Sequence, residues 1–259
     1  MLTLTATASV LLRLAIFYGY PSLVNGSAGD IARAAAVFSR YDVVVFGDGL
    51  ELAGTPGDAG ITAERQRLPA LLGAIHAAGR GTAIYGYIDL GSTQRLSIDE
   101  IDRRIEAWRR AGADGIFYDE AGDDFEVTAV RRHIAVCRAH ARDMPVVMNA
   151  FHPGDLFEPA PTVAACDGTL GPRDALLVES FAVRRGVPQA ARTDDRLDAA
   201  LQWRHRVGVR VFAVTTTDAR PFQTDVYAAA RRLAEDVALD AFGWGENDFS
   251  ADSRLPWRE

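Results

Sequence analysis

Eight short runs of apolar, β-branched or aromatic residues recur along this chain at intervals of roughly thirty residues, and stretches with helical periodicity lie between most of them. The runs occupy residues 14–20, 42–46, 82–88, 115–118, 145–149, 175–178, 209–215 and 241–244. Strands that alternate with helices build a parallel sheet, because each helix returns the chain to the edge where the next strand starts. Eight such units in 259 residues fit one α/β domain, a single (β/α)8 or TIM barrel, without room for a second domain. The domain is read as residues 1–259, with 1–12 as a loose N-terminal extension.

Helix boundaries are well marked. Ser97 supplies an N-cap, Asp99 and Glu100 supply first-turn acids, and Gly112 stops the helix after Arg109, Arg110 and Ala111. Within it, Ile98, Ile101, Ile105 and Trp108 share a face. A second periodic segment, 194–207, carries Leu197, Ala200, Leu201 and His205, and Gly79 and Gly208 repeat the stop signal. The connection 151–173 holds Pro153, Pro159, Pro161 and Gly168, which leave space only for a short helix.

In such a barrel, chemistry sits at the carboxyl ends of the strands. Those ends are rich in acids and aromatics: Tyr18 and Tyr20, Asp48 and Glu51, Tyr87 and Asp89, Asp119 and Glu120, Asn149 and His152, Glu179, Thr215 to Asp218, and Trp244 with Glu246. Aromatic faces that cover C–H patches, with carboxylates and amides that take hydroxyl groups, form a carbohydrate site. Tyr18, Tyr20, Tyr87 and Trp244 are the expected platforms, and Asp89, Glu120 and Asn149 the expected polar contacts. Trp108 and Trp203 fall on helices and read as packing. Asp48 and Glu51 read as a solvated loop, and His152 as solvated beside Pro153.

Composition narrows the chemistry. All 28 basic residues are Arg, so Schiff-base, pyridoxal-phosphate and P-loop reactions lack their Lys amine. A net charge of −7 disfavours a nucleic-acid partner, and no run is long enough to span a membrane. Cys137 and Cys166 show no metal-ligand spacing and read as free structural thiols. The N-terminus lacks the basic start of a signal peptide, so a cytoplasmic location is expected.

The strand ends resemble those of the spherulin-4-like and polygalactosaminidase-like glycoside hydrolases. The resemblance is carried by Tyr18-Gly19-Tyr20-Pro21, Tyr85-Gly86-Tyr87-Ile88, Asp114-Gly115-Ile116-Phe117-Tyr118-Asp119-Glu120, Val146-Val147-Met148-Asn149 and Leu177-Val178-Glu179. It implies a (β/α)8 enzyme that cleaves α-1,4-linked galactosamine polymers. It also implies Asp119 and Glu179 as the catalytic pair, with no cofactor. The chain departs from that pattern at Asp89-Leu90-Gly91-Ser92-Thr93, where spherulin-4-like members tend to carry a His and a Tyr. Strand geometry agrees with the pair, since inward side chains of two even-numbered strands share a layer. Neighbours on a strand face opposite ways, so Glu120 is expected in the loop or holding a neighbour. Two other readings remain open: an acidic ring of Asp48, Asp89, Asp119, Glu120 and Glu179 holding Mg²⁺ or Ca²⁺, and a barrel that binds sugar without cleaving it.

Overall fold

The computed structural model describes residues 10–47, 49–54, 57–160, 168–184, 187–188, 195–216 and 224–245. All eight expected strands form, and they close into one parallel barrel. In chain order they are β1 (Leu12–Phe17), β2 (Val43–Phe46), β3 (Ala83–Asp89), β4 (Gly115–Asp119), β5 (Val146–Asn149), β6 (Ala175–Glu179), β9 (Arg210–Thr216) and β10 (Ala241–Gly245). β7 (Val183–Arg184) and β8 (Val187–Pro188) form a small antiparallel ribbon outside the barrel. β1 starts earlier than expected, with Leu12 already paired to Ala241, and ends at Phe17, before a 3-10 turn over Pro21–Gly26.

Helices α1 (Ile31–Phe38), α2 (Ala59–Ala77), α3 (Ile98–Ala111), α4 (Ala129–His140), α5 (Asp195–Val207) and α6 (Thr224–Asp236) follow strands as expected. Between β5 and β6 the described residues hold only a 3-10 turn, Pro153–Phe157, where prolines block a longer helix. Capping follows the sequence signals. Asp30, Asp58, Ser97 and Thr128 accept hydrogen bonds from backbone N–H groups of their own first turns. Gly112 ends α3 in the left-handed region at φ 103°.

The strands divide two apolar compartments. Leu14, Ile16, Val43, Val45, Tyr85, Tyr87, Phe117, Val147, Leu177, Phe212 and Val214 fill the interior. The alternate residues, among them Ile88, Tyr118, Met148 and Trp244, meet the helices outside. Gly86 faces that outer layer because the Trp108 indole lies where a side chain would go, with Cδ2 2.0 Å from the position of a Cβ. The Trp108 Nε1–H then donates to the Tyr87 carbonyl at 3.0 Å, locking α3 against β3.

The amino end of the barrel is built on a repeat. Asp42, Asp114, Asp174 and Asp240 stand just before β2, β4, β6 and β10. Each carboxylate accepts a hydrogen bond from the backbone N–H of a residue in the preceding strand: Arg13, Ile84, Val146 and Val211 respectively. Each also meets a basic side chain: Arg13, His76, His140 and Arg204. These pairs fix how neighbouring strands start relative to one another.

Two expectations are corrected by the fold. Cys137 is disulfide-bonded rather than a free thiol, and Cys166 is the chain's only other cysteine. Glu51 is buried rather than solvated, with its carboxylate 3.4 Å from Arg104. Asp48 lies outside the described residues, as do Thr217, Asp218 and Glu246.

Candidate active site

Register sets what meets at the carboxyl end. β3 and β4 pair Asp89 with Asp119, and β5 and β6 pair Asn149 with Leu177. Phe117, Val147 and Leu177 face inward, so Asp119, Asn149 and Glu179, each two residues further on, also face inward at the rim. Period 2 thus gathers side chains from three strands around one point.

Asp119 is held by three donors. Tyr87 Oη–H donates to Oδ2 at 2.9 Å, and Asn149 Nδ2–H donates to Oδ1 at 2.7 Å. The Glu120 backbone N–H adds a third bond to Oδ1 at 2.9 Å. Asn149 also hydrogen-bonds Glu179, so one amide bridges the two acids. Burial pushes the Asp119 carboxyl above its ordinary range even against those three donors. Glu179 is pushed up to about 7, first by burial and then by the negative charge of Asp119, with Asn149 and Arg196 pulling back. Both acids are therefore raised, Asp119 against three hydrogen-bond donors and Glu179 against Asn149 and Arg196.

Backbone turns after the acids follow one plan. Glu120 and Ser180, the residues just past Asp119 and Glu179, both lie in the left-handed region, at φ 52° and 56°. Each strand therefore ends abruptly after its inward carboxylate. The turn at Glu120 sends its carboxylate sideways to the β3 loop, where it accepts from Thr93 N at 3.0 Å and from Thr93 Oγ1 at 2.5 Å. Gly91 makes this possible, since a Cβ there would lie 2.6 Å from the Glu120 Cβ. Glu120 thus braces the loop, as strand alternation required.

A cavity of about 190 Å³ opens beside these groups, lined by Asp119, Glu120, Asn149 and Glu179 with Phe151 and Arg196 among the remaining walls. Tyr87 stands outside this lining and acts from behind Asp119, with Tyr18 set edge-on against it at 5.3 Å. Asp89 is also behind the wall. It is 1% exposed and accepts from Gly91 N at 2.8 Å. Burial, then the charge of Glu120, raises its carboxyl to about 6. Tyr20 lies over the start of α2, its ring edge 3.2 Å from where Gly60 would carry a Cβ.

Trp244 does not serve as a platform. Its neighbours Gly243 and Gly245 occupy the inward positions of β10, so the indole points outward, buried edge-on against Tyr227 at 5.6 Å. His152 is exposed as expected and sits 3.6 Å from Asp124. Two site residues escaped sequence reasoning. Phe151 follows β5, and Arg196 in the first turn of α5 donates to the Glu179 carbonyl at 3.2 Å. An isolated aromatic two residues after Asn149 was the available signal for Phe151; Arg196 carried none.

Among the described residues no group of three or more His, Cys, Asp or Glu is arranged to hold a metal ion, and no helix is long and apolar enough to cross a membrane. No family model matches the sequence, and no curated protein matches it. Solved structures match in fold. An exo-β-1,4-mannosidase from Opitutaceae bacterium strain TAV5 shares 13% identity at TM-score 0.56, covering 95% of this chain and 57% of that one. A GH18 chitinase from Pseudoalteromonas aurantia shares 11% identity at TM-score 0.54, covering 93% of this chain and 97% of that one. A putative dehydratase from Mesorhizobium loti shares 14% identity at TM-score 0.51, covering 93% and 56%. At these identities the likeness concerns fold, and it spans several reaction classes on one scaffold. The chain is a (β/α)8 barrel with a paired-carboxylate centre at the carboxyl ends of β4 and β6.

Proposed function

We propose that the protein is a glycoside hydrolase acting on α-linked galactosamine-type oligo- or polysaccharide, with Asp119 and Glu179 as its catalytic carboxylates. The observation that carries this reading is the Asn149 amide bridging two buried acids whose surroundings differ. Glu179 gives its proton to the glycosidic oxygen as the bond to the anomeric carbon breaks. The Asp119 carboxylate, whose charged form Tyr87, Asn149 and the Glu120 N–H favour against burial, stabilises the positive charge that develops on the sugar or takes its anomeric carbon. Water completes the hydrolysis and returns the proton to Glu179. The carboxylates Asp89 and Glu120 next to Asp119 favour a sugar that carries an ammonium group. The resemblance of the strand ends to polygalactosaminidase-like enzymes supports the same substrate.

The test is hydrolysis of α-1,4-galactosamine oligosaccharides, acetylated and deacetylated, by the native protein and by Glu179→Gln. The expected result is cleavage by the native protein, unaffected by chelator and lost in the variant. A folded native protein that releases no product from either form would overturn the proposal, and chelator-sensitive cleavage would move the chemistry to a metal.

A further inference from the structure

Beside the carboxylate cavity lies a second cavity of about 530 Å³, between the turn after β5 and the start of α5. Phe151, Pro153 and Arg196 line both cavities. Arg196 links them physically. Its guanidinium donates to the backbone of Glu179 and lies over the Phe151 ring, 5.4 Å from the centroid. His152 meets the same ring edge-on at 5.1 Å. Even so, Phe151 keeps 55% of its surface exposed. A phenylalanine beside a reactive centre ordinarily gains from burial. Here it is held out at a junction between cavities by an arginine and a histidine.

We infer that this second cavity is an additional sugar subsite, in which Phe151 carries the C–H face of a saccharide unit next to the cleaved bond and Arg196 donates to its oxygens. Two features select the occupant. An exposed aromatic face suits a pyranose ring. Asp195 and Arg196 line the cavity side by side, so its charges balance rather than attract an ammonium group, and the guanidinium donates to hydroxyl or acetamido oxygens of an uncharged unit. The two cavities together then favour a chain with a cationic unit at the acids and a neutral, N-acetylated unit over Phe151. This inference rests on the glycoside hydrolase reading above and extends it to chain length and acetylation pattern.

Calorimetric titration of the Glu179→Gln protein separates the two. The probes are α-1,4-galactosamine oligosaccharides of two and six units, fully or partly N-acetylated, compared with the same protein carrying Phe151→Ala or Phe151→Trp. The expected result is at least tenfold tighter binding of the partly acetylated six-unit chain than of the two-unit chain. Phe151→Ala abolishes that gain and Phe151→Trp retains it. A length gain that survives Phe151→Ala, or affinity that does not change with length, would overturn the subsite while leaving the hydrolase reading intact. Absence of binding by every probe would overturn the substrate class and this inference with it. Thermal unfolding of each variant confirms that the barrel is folded.

Discussion

The two ends of the barrel use the same residue types under opposite conditions. At the amino end, Asp42, Asp114, Asp174 and Asp240 each accept from a strand N–H and each meet an Arg or His. Each carboxylate there has a basic partner side chain, and the carboxylates act as clamps between strands. At the carboxyl end, Asp119 and Glu179 share the neutral donor Asn149, Glu179 lies in the field of Asp119 and Asp119 in that of Glu120, and burial raises both. A matched acid stabilises the fold. A buried one raised by desolvation and a like charge stores the tendency to hold or release a proton that acid/base catalysis requires.

Breaking the upper end should cost activity rather than stability. Glu179→Gln and Asp119→Asn are expected to lower kcat by a factor of about 10³ or more with unchanged or higher unfolding midpoints, read by product release and thermal melting. At the lower end the reverse holds. Asp174 is 1% exposed and serves Val146 N, Gly171 N and His140. Asp174→Ala should therefore cost about 3 kcal/mol in denaturant unfolding, with kcat per folded molecule unchanged. If Asp119→Asn destabilised as strongly as Asp174→Ala, the distinction between the two ends would fail.

Smaller changes sharpen the same contrast. Removal of the bridging amide in Asn149→Ala should lower kcat by about 10- to 100-fold, within the usual range for a positioning group. Because the Asn149 bond favours ionised Glu179, its loss raises the Glu179 pKa further. The alkaline fall in kcat, expected near pH 7 in the native protein from a required Glu179 proton, should then move to higher pH. A pH–rate profile whose alkaline limb moved downward would contradict the arrangement.

Asp89 gives the smallest effect, and its sign follows from linkage. Its carboxyl is raised from 3.8 to about 6 in the folded protein, so the folded state binds a proton that the unfolded chain has lost. This penalty is absent below about pH 4 and complete above pH 6. Asp89→Asn, whose side-chain oxygen can still accept from Gly91 N, should therefore gain about 1–3 kcal/mol above pH 6. The gain should vanish as pH falls toward 4, as measured by urea midpoints across pH.

Much of this architecture was legible before the fold was known. Strand runs, capping signals such as Ser97 and Gly112, and the acids after Phe117-Tyr118 and Leu177-Val178 are local features. Period 2 put Asp119 and Glu120 on opposite faces, and the resemblance singled out Asp119 as the inward one. Trp244 shows where that logic stops: which face of a strand turns inward depends on register with β1 and β9. The alternation of Phe242 and Trp244 with Gly243 and Gly245 held that answer, since the interior side of β10 has no room for large residues. Glu51, Phe151 and Arg196 could not be placed, because their partners are distant in sequence. Arg104 buries one of them, and α5 meets the turn after β5 only in the folded barrel.

The order of strands and helices, the abrupt ends of β4 and β6, and the identity of the acids they carry were determined by the sequence alone, because propensity, capping and alternation act between neighbouring residues. The bridge from Asn149 to both carboxylates, the raised affinity of Glu179 for its proton, and the exposed Phe151 at the junction of two cavities were decided by the tertiary structure. Burial, charge proximity and cavity shape arise only when strands far apart in the chain are closed around a common axis.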